Sequence, residues 1–360
     1  MKSCNLFLIS FTNRLGYWLV ADTISGMKKR ILSGIAPSGA GLHIGNYFGA
    51  VAHQVALQDN SEYQTFYFVA DLHALTTVQD RSVLEANVRE VILDYLALGL
   101  NPDKCVFFRQ SHVPAHSQLA VVLANYMGFG QMKRMHAFKD KLQKGADGES
   151  VNMGLFNYPI LMAADILLYK PFGVPVGEDQ RQHVELARDI AENFNRVYQT
   201  EAFPLPEPLI KKEQGKIIGT DGNRKMSKSL GNTIGIFEAE STIKKQIMSC
   251  YTDPNRLKPT DPGTVEGNPV FVYHDLINQN KDEIEDLKSR YRLGKVGDVE
   301  VKEKLFLAHQ QLFATARSRK ANYLSQPEII DQILANGAHR ASEIANETLV
   351  TVYQTIGLGN

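Results

Sequence analysis

Hydrophobic and polar positions fall into blocks whose rhythm changes along the chain. The first clear block, Arg30-Ile31-Leu32-Ser33-Gly34-Ile35, is a short apolar run opening into a loop. Thr65-Phe66-Tyr67-Phe68-Val69-Ala70 is apolar without alternation up to Asp71, the pattern of a strand buried on both faces. Leu84, Val88, Val91, Ile92, Tyr95 and Leu96 then recur at helical spacing, and Gly99 with Asn101-Pro102 stops that helix. Cys105-Val106-Phe107-Phe108 makes the next strand. Strand, helix, strand in this order predicts a parallel sheet with right-handed crossovers. Ligands of such sheets bind beyond the carboxyl ends of the strands, where Gly34 to Tyr47 and Asp71 to His73 fall. After about residue 232 the strand signals fade. Helical patterns rich in Lys and Arg cover 238–250, 281–291, 298–318 and 327–358. The expected organisation is an α/β domain over 27–232 followed by an α-helical domain over 233–360.

Composition changes little in this picture. The chain has 360 residues, 44% of them hydrophobic and 22% charged, which describes an ordinary globular protein of two domains. Basic and acidic residues balance at 39 each, so no global field points to nucleic acid, although a local basic face remains open. Cys4, Cys105 and Cys250 have no metal-like spacing and fit free thiols in a reducing, cytoplasmic compartment. No apolar run reaches the roughly 18 residues of a membrane span. The first 26 residues carry Lys2 and the apolar Leu6 to Ile9, a weak targeting signal that Thr12-Asn13-Arg14 interrupts. Met27-Lys28-Lys29-Arg30 leads straight into the first strand, so 1–26 reads as a leader or mis-assigned start.

Two loops carry the candidate chemistry. Residues 36–47, "APSGAGLHIGNY", follow the first strand. No Lys-Ser/Thr follows the glycines, which rules out a Walker loop, and Gly39-x-Gly41 meets Gly45 one residue too late for a dinucleotide fingerprint. What remains is a strand, a glycine-rich loop and a helix opening near Gly45-Asn46, whose amides suit an anion; a plain turn is the competing reading. Residues 219–232, "GTDGNRKMSKSLGN", place Lys225 and Lys228 around Met226-Ser227, with Ser229 behind. Two ammonium groups and two hydroxyls between glycines suit a polyphosphate whose charge grows in the transition state. The bland alternative is a solvated basic loop.

Together the loops resemble the HIGH-type and KMSKS signatures of class I aminoacyl-tRNA synthetases. "YPILMAADILLYKPFGVPVGEDQRQHVELARDIAENFN", residues 158–195, resembles the matching region of bacterial tryptophanyl-tRNA synthetases, and the likeness extends through "ADLHALTT" and "SHVPAH" over residues 28–360. The resemblance implies a Rossmann-like catalytic domain, a C-terminal helical domain reading the tRNA anticodon, a homodimer, and ligation of tryptophan to tRNA(Trp) through an adenylate made from ATP with Mg2+. It further implies that Ala36, Pro37, Ser38, Gly45 and Asn46 contact ATP, that His43 lies beside the phosphates, and that Gly177, Glu178 and Asp179 hold the ribose. Ile217 would touch the adenine; Lys225, Lys228 and Lys139 would clamp the pyrophosphate, with Met226, Ser227 and Ser229 around them. Tyr158 and Gln180 would hold the α-amino group, Met162 and Val176 would be pocket walls, and His73 would line the same pocket.

The residues themselves add a reason for the substrate. On a helix over 158–168, Tyr158, Leu161, Met162 and Asp165 share one stripe. A slot that is apolar except for one carboxylate fits an indole, a flat apolar body with a single N–H donor. Asp165 would take that N–H, and an unpaired carboxylate would penalise rings lacking a donor there. His112 and His116 lie four apart without a third ligand and read as structural. Two features depart from the family. Relatives have one residue fewer between Pro37-Ser38-Gly39 and His43, so Ala40-Gly41 is an expansion that a positive φ at Gly41 would absorb. Some relatives also carry a cysteine cluster for an iron–sulfur centre, where this chain has Asp298 and Val301; no cluster is expected. A tyrosine-specific enzyme, a small-substrate nucleotidyltransferase and a non-catalytic RNA-binding paralogue are the competing readings.

Overall fold

Five parallel strands form the sheet in a computed structural model that describes residues 28–37, 39, 41–135, 139, 152–210, 217–253, 256, 258 and 260–359. The strands are β1 (Lys29–Ile35), β2 (Tyr63–Val69), β3 (Val106–Arg109), β4 (Gly173–Val176) and β5 (Glu207–Ile210), in the spatial order β3-β2-β1-β4-β5. Every neighbouring pair is parallel; Ile31 lies opposite Thr65 and Phe66 opposite Val106. The chain moves outward from β1 to β3, then returns to the other side of β1 for β4 and β5. The switch point therefore falls between β1 and β4, where a doubly wound sheet opens a crevice. This is the expected Rossmann-like arrangement.

The unbroken apolar run of β2 is explained by layers on both sheet faces. Tyr67, Val69 and Phe107 join one core with Val88, Val91, Ile92 and Leu96 of helix α2 (Arg81–Ala97). Phe66, Phe68 and Phe108 point the other way, as alternate strand residues must, into a core with α3 (Ala115–Leu123), α4 (Met153–Leu168) and α5 (Arg181–Tyr198). The remaining crossover helix, α1 (Ala52–Gln58), continues turns over Ile44–Asn46 and Tyr47–Val51. Asp80 caps α2 by accepting from Val83 N, and Asn152 caps α4 by accepting from Leu155 N.

The region after 233 is helical, as its pattern predicts: α6 (Glu240–Met248), α7 (Pro269–Ile277), α8 (Lys281–Arg292), α9 (Asp298–Leu312), α10 (Ala314–Ser325) and α11 (Pro327–Ile356). Two details differ from the reading. The stretch 298–318 is two helices that meet at Phe313, a buried ring that anchors the corner between them. Helix α7 has no counterpart among the predicted helices because "PVFVYHDLI" is apolar almost all round and shows no amphipathic period. The core of α2 runs on through Ile243, Phe271, Leu305 and Phe313. Helix α11 lies on the edge strand β3, where Gly337 approaches Phe107 so closely that a Cβ would sit 1.8 Å from its carbonyl oxygen.

Candidate active site

The loop leaving β1 turns with φ of +77° at Gly39 and +22° at Gly41, the second being the positive φ anticipated for the expanded loop. Beyond it, Leu42–Ile44 pairs antiparallel with Ile234–Ile236. Ile44 N donates to Ile234 O at 3.0 Å, and Ile236 N donates to Leu42 O at 3.2 Å. This short pairing ties the two signature loops together. A Cβ on Gly45 would lie 2.9 Å from His43 Nδ1 and 3.3 Å from Met226 Sδ, so only glycine lets the KMSKS loop come this close. His43 N donates to Asn46 Oδ1 at 3.1 Å, closing the first turn of the following helix.

The KMSKS loop is held from below. Met226 N donates to Ile217 O at 2.9 Å, and Ser227 N to Asn232 Oδ1 at 2.7 Å. Ser227 and Ser229 hydroxyls are 3.0 Å apart. Lys228 Nζ donates to Gly39 O across the cleft. Burial pulls the Lys228 ammonium down from its ordinary pKa, although Asp94 and Glu90 oppose the shift. His43 is lowered to about 4 by burial, with Lys228 and Lys225 adding to the effect. Its imidazole is therefore neutral, and Nδ1 is buried without a hydrogen-bond partner among the described residues. A neutral ring and Lys228 on one glycine-rich loop, with Lys225 near enough to act on His43, suit an anion.

The second half of the site surrounds Asp165, in the last turn of α4. Its carboxylate is buried, and its oxygens are already engaged. Gln110 Nε2 donates to Oδ1 at 2.8 Å and to Oδ2 at 2.9 Å. His116 Nδ1 lies 2.6 Å from Oδ1, and His73 Nε2 lies 2.9 Å from Oδ2. An ionised carboxylate only accepts, so both rings donate to it, and the second ring nitrogen of His116, Nε2, lies 2.8 Å from Tyr169 OH. Burial alone would raise the Asp165 carboxyl; the bonds from His116 and His73 outweigh it and hold the group at about 2.

Around this centre, His73 packs edge-on against Tyr158, with ring centroids 6.0 Å apart, and Tyr158 OH lies 2.9 Å from His183 Nε2. Met162 and Val176 are half-buried beside the same core. Asp71 is bound by Arg109 and by the N–H and hydroxyl of Ser111, which fixes the end of β3 against the short helix Asp71–Ala74 that carries His73.

A family model described as "tRNA synthetases class I (W and Y)" matches residues 26–314. A curated tryptophan–tRNA ligase of Borreliella burgdorferi is 43% identical over 337 residues, which covers 92% of this chain and 95% of that one. The ligase of Treponema pallidum is 42% identical, covering 91% and 97%. The chain belongs to the tryptophanyl-tRNA synthetases. A crystal structure of the Campylobacter jejuni tryptophanyl-tRNA synthetase, complexed with ADP and tryptophan, superimposes with a TM-score of 0.85 at 41% identity, covering 91% of this chain and all of that one. Membership makes the protein an aminoacyl-tRNA ligase specific for tryptophan.

Within a tryptophanyl-tRNA synthetase frame, the site residues fall into separate groups. Gly45, Asn46, His43, Ile217, Met226, Ser227, Lys228 and Ser229 gather where the two loops meet. Asp165 and His73 are in direct contact, with Tyr158 against His73. Other expectations need correction. Asp165 is not a lone acceptor waiting for a donor, since three side chains already hold it. Of the two histidines read as structural, His116 is fully buried on Asp165, whereas His112 is exposed. Gln110 and His116 are the residues that sequence reasoning missed as members of the pocket. Glu178 is paired with Arg181 through bonds of 2.6 and 3.0 Å at the entrance to α5. Lys139 is exposed, its N–H bonded to Met135 O. Ser38, Ala40, the side chain of Asp179 and residues 1–26 lie outside the described residues.

Proposed function

We propose that the joined loops and the Asp165 pocket carry tryptophan activation. In this reading Asp165 Oδ2 accepts the indole N–H in place of His73, with Met162 and Val176 as walls and Tyr158 and Gln180 on the α-amino group. The carboxylate of the bound tryptophan attacks the α-phosphorus of ATP in line. A P–O bond to the amino acid forms, the bond to the bridging oxygen breaks, and pyrophosphate leaves. Ala36, Pro37, Ser38, Gly45 and Asn46 hold the nucleotide, Gly177, Glu178 and Asp179 the ribose, and Ile217 the adenine. Lys225, Lys228 and Lys139 take the growing charge of the pyrophosphate. No side-chain nucleophile is required, so catalysis is placement plus charge stabilisation.

Mg2+ would be held through the oxygens of ATP, where it neutralises phosphate charge. In the second half-reaction a terminal ribose hydroxyl of tRNA(Trp) attacks the tryptophanyl carbonyl and AMP leaves. The helices over 233–360 are assigned to the anticodon, and the working unit to a cytoplasmic homodimer. Among the described residues no helix is long and apolar enough to cross a membrane.

The observation that supports this reading most directly is the closure of the KMSKS loop onto the glycine-rich loop, with Lys228 on Gly39 O and Met226 against Gly45. ATP–pyrophosphate exchange, compared for tryptophan and tyrosine, is the test. Exchange with tryptophan alone is expected; equal exchange with tyrosine, or none, would overturn the assignment.

A further inference from the structure

Asp94 stands on α2, a helix that the reaction has not used, and its side chain is fully buried. Its Oδ2 accepts the backbone N–H of Leu42 at 2.7 Å, and its Oδ1 accepts from Lys320 Nζ at 2.6 Å. Lys320 belongs to α10 in the helical region and also reaches Glu90 Oε1 at 2.6 Å. Its ammonium lies 4.4 Å from the ring centroid of Phe237. Phe237 follows Ile236, the residue that donates to Leu42 O. One lysine thus reaches both strands of the pairing that joins the signature loops, one strand through Phe237 and the other through Asp94.

Packing alone does not account for this cluster. Glu90 and Asp94 are like charges at i and i+4, which repel unless a cation lies between them. A buried carboxylate without a partner is strongly unfavourable, so Asp94 depends on Lys320 to remain charged. The amide it binds comes directly after Gly41, in a loop whose glycines leave the backbone loosely determined. A Cβ at Gly41 would lie 3.6 Å from Glu90 Oε1 and 3.7 Å from Asp94 Oδ2, so both carboxylates lie against the turn.

We infer that Asp94 is a positioning residue for ATP: by binding the Leu42 amide it holds Gly41 to Ile44 in place, beside the Gly39 carbonyl that Lys228 reaches, and Lys320 transmits the placement of α10 to that bond. The inference rests on the reading of the two loops as the ATP site. A shift of α10 that withdrew Lys320 would leave Asp94 uncompensated and free the loop. The helical region would thereby bear on nucleotide binding without touching the nucleotide.

The test measures KM for ATP and for tryptophan separately in pyrophosphate exchange, with Asp94→Asn, Lys320→Met, the double variant and Lys320→Arg. Either single substitution is expected to raise KM for ATP by about tenfold while KM for tryptophan stays within about twofold. The double variant is expected to be no worse than the poorer single, because the two residues act as one unit. Lys320→Arg should restore most of the wild-type KM. Unchanged KM for ATP, equal shifts for both substrates, or multiplying effects in the double variant would each overturn the inference. Should Asp94→Asn fail to fold, Lys320→Met and Lys320→Arg decide it alone. Wild-type protein that exchanges normally separates that failure from a failure of the site; wild-type protein that does not exchange overturns both.

Discussion

In the proposed tryptophan pocket, the selectivity rests on a single carboxylate, Asp165. Its oxygens are covered by Gln110, His116 and His73, so an incoming ring must replace a bond that already exists. A ring with an N–H donor replaces it in kind, whereas a phenyl ring takes away the His73 bond, returns none, and leaves Oδ2 with Gln110 alone. Asp165→Asn puts an amide donor in a place where three donors converge. Its kcat/KM for tryptophan is expected to fall by about 100-fold or more, read from pyrophosphate exchange. At the other loop, Lys228→Ala is expected to slow adenylate formation by about 100-fold or more while the Kd for tryptophan is unchanged. That variant has a second readout. Lys228 is one cause of the depressed His43 pKa, so the His43 titration, followed by NMR, should move up from its midpoint of about 4. Unfolded His43 takes up a proton near 6.5 and folded His43 only near 4, so its contribution is complete above 6.5 and is lost as the pH falls toward 4. Denaturant unfolding at pH 7 and pH 4.5 should show less of that loss in Lys228→Ala.

Among the elements, those with a plain period were readable from the chain and those made by convergence were not. The apolar run of β2 and the 3.6-residue pattern of α2 correspond directly to a central strand and its covering helix. The positive φ at Gly41 follows from one residue too many in a loop with a glycine to spare. The cage around Asp165 could not be read this way. Gln110 lies in the turn after β3, His116 in α3 and His73 in the helix after β2, and only the sheet brings these ends to one place. Helix α7 hides its period because it is buried on nearly every side, yet Asn268-Pro269 at its start is a cap and a first-turn proline. Helix α11 has the tightest tolerance. Gly337→Ala would push a methyl group into the Phe107 carbonyl, and a loss of about 2–4 kcal/mol is expected from denaturant unfolding.

On the scale of the molecule, the core that starts at Ile35 and Val69 continues without a break into Ile243, Leu305 and Phe313. The sheet and the helices after 233 consequently share apolar surface as well as the Asp94–Lys320 ion pair. Far-UV and near-UV circular dichroism are expected to report one coincident unfolding transition rather than two. Separate transitions would mean that the shared core contributes little to holding the parts together.

The last consequence concerns how such a chain is made. Strand β3 is an edge strand, and Arg340 of α11 donates to Cys105 O at its start across 235 residues of sequence. A ribosome adds about 5–20 residues per second, so β3 waits roughly 12–47 s before the residue that seals it exists. During that interval the strand "VFFR" has an open hydrogen-bonding edge and aromatic side chains, the combination that recruits a neighbouring chain. Biosynthesis thus has a vulnerable window whose length is set by the distance in sequence between a strand and its cover, and a chaperone would be most useful there.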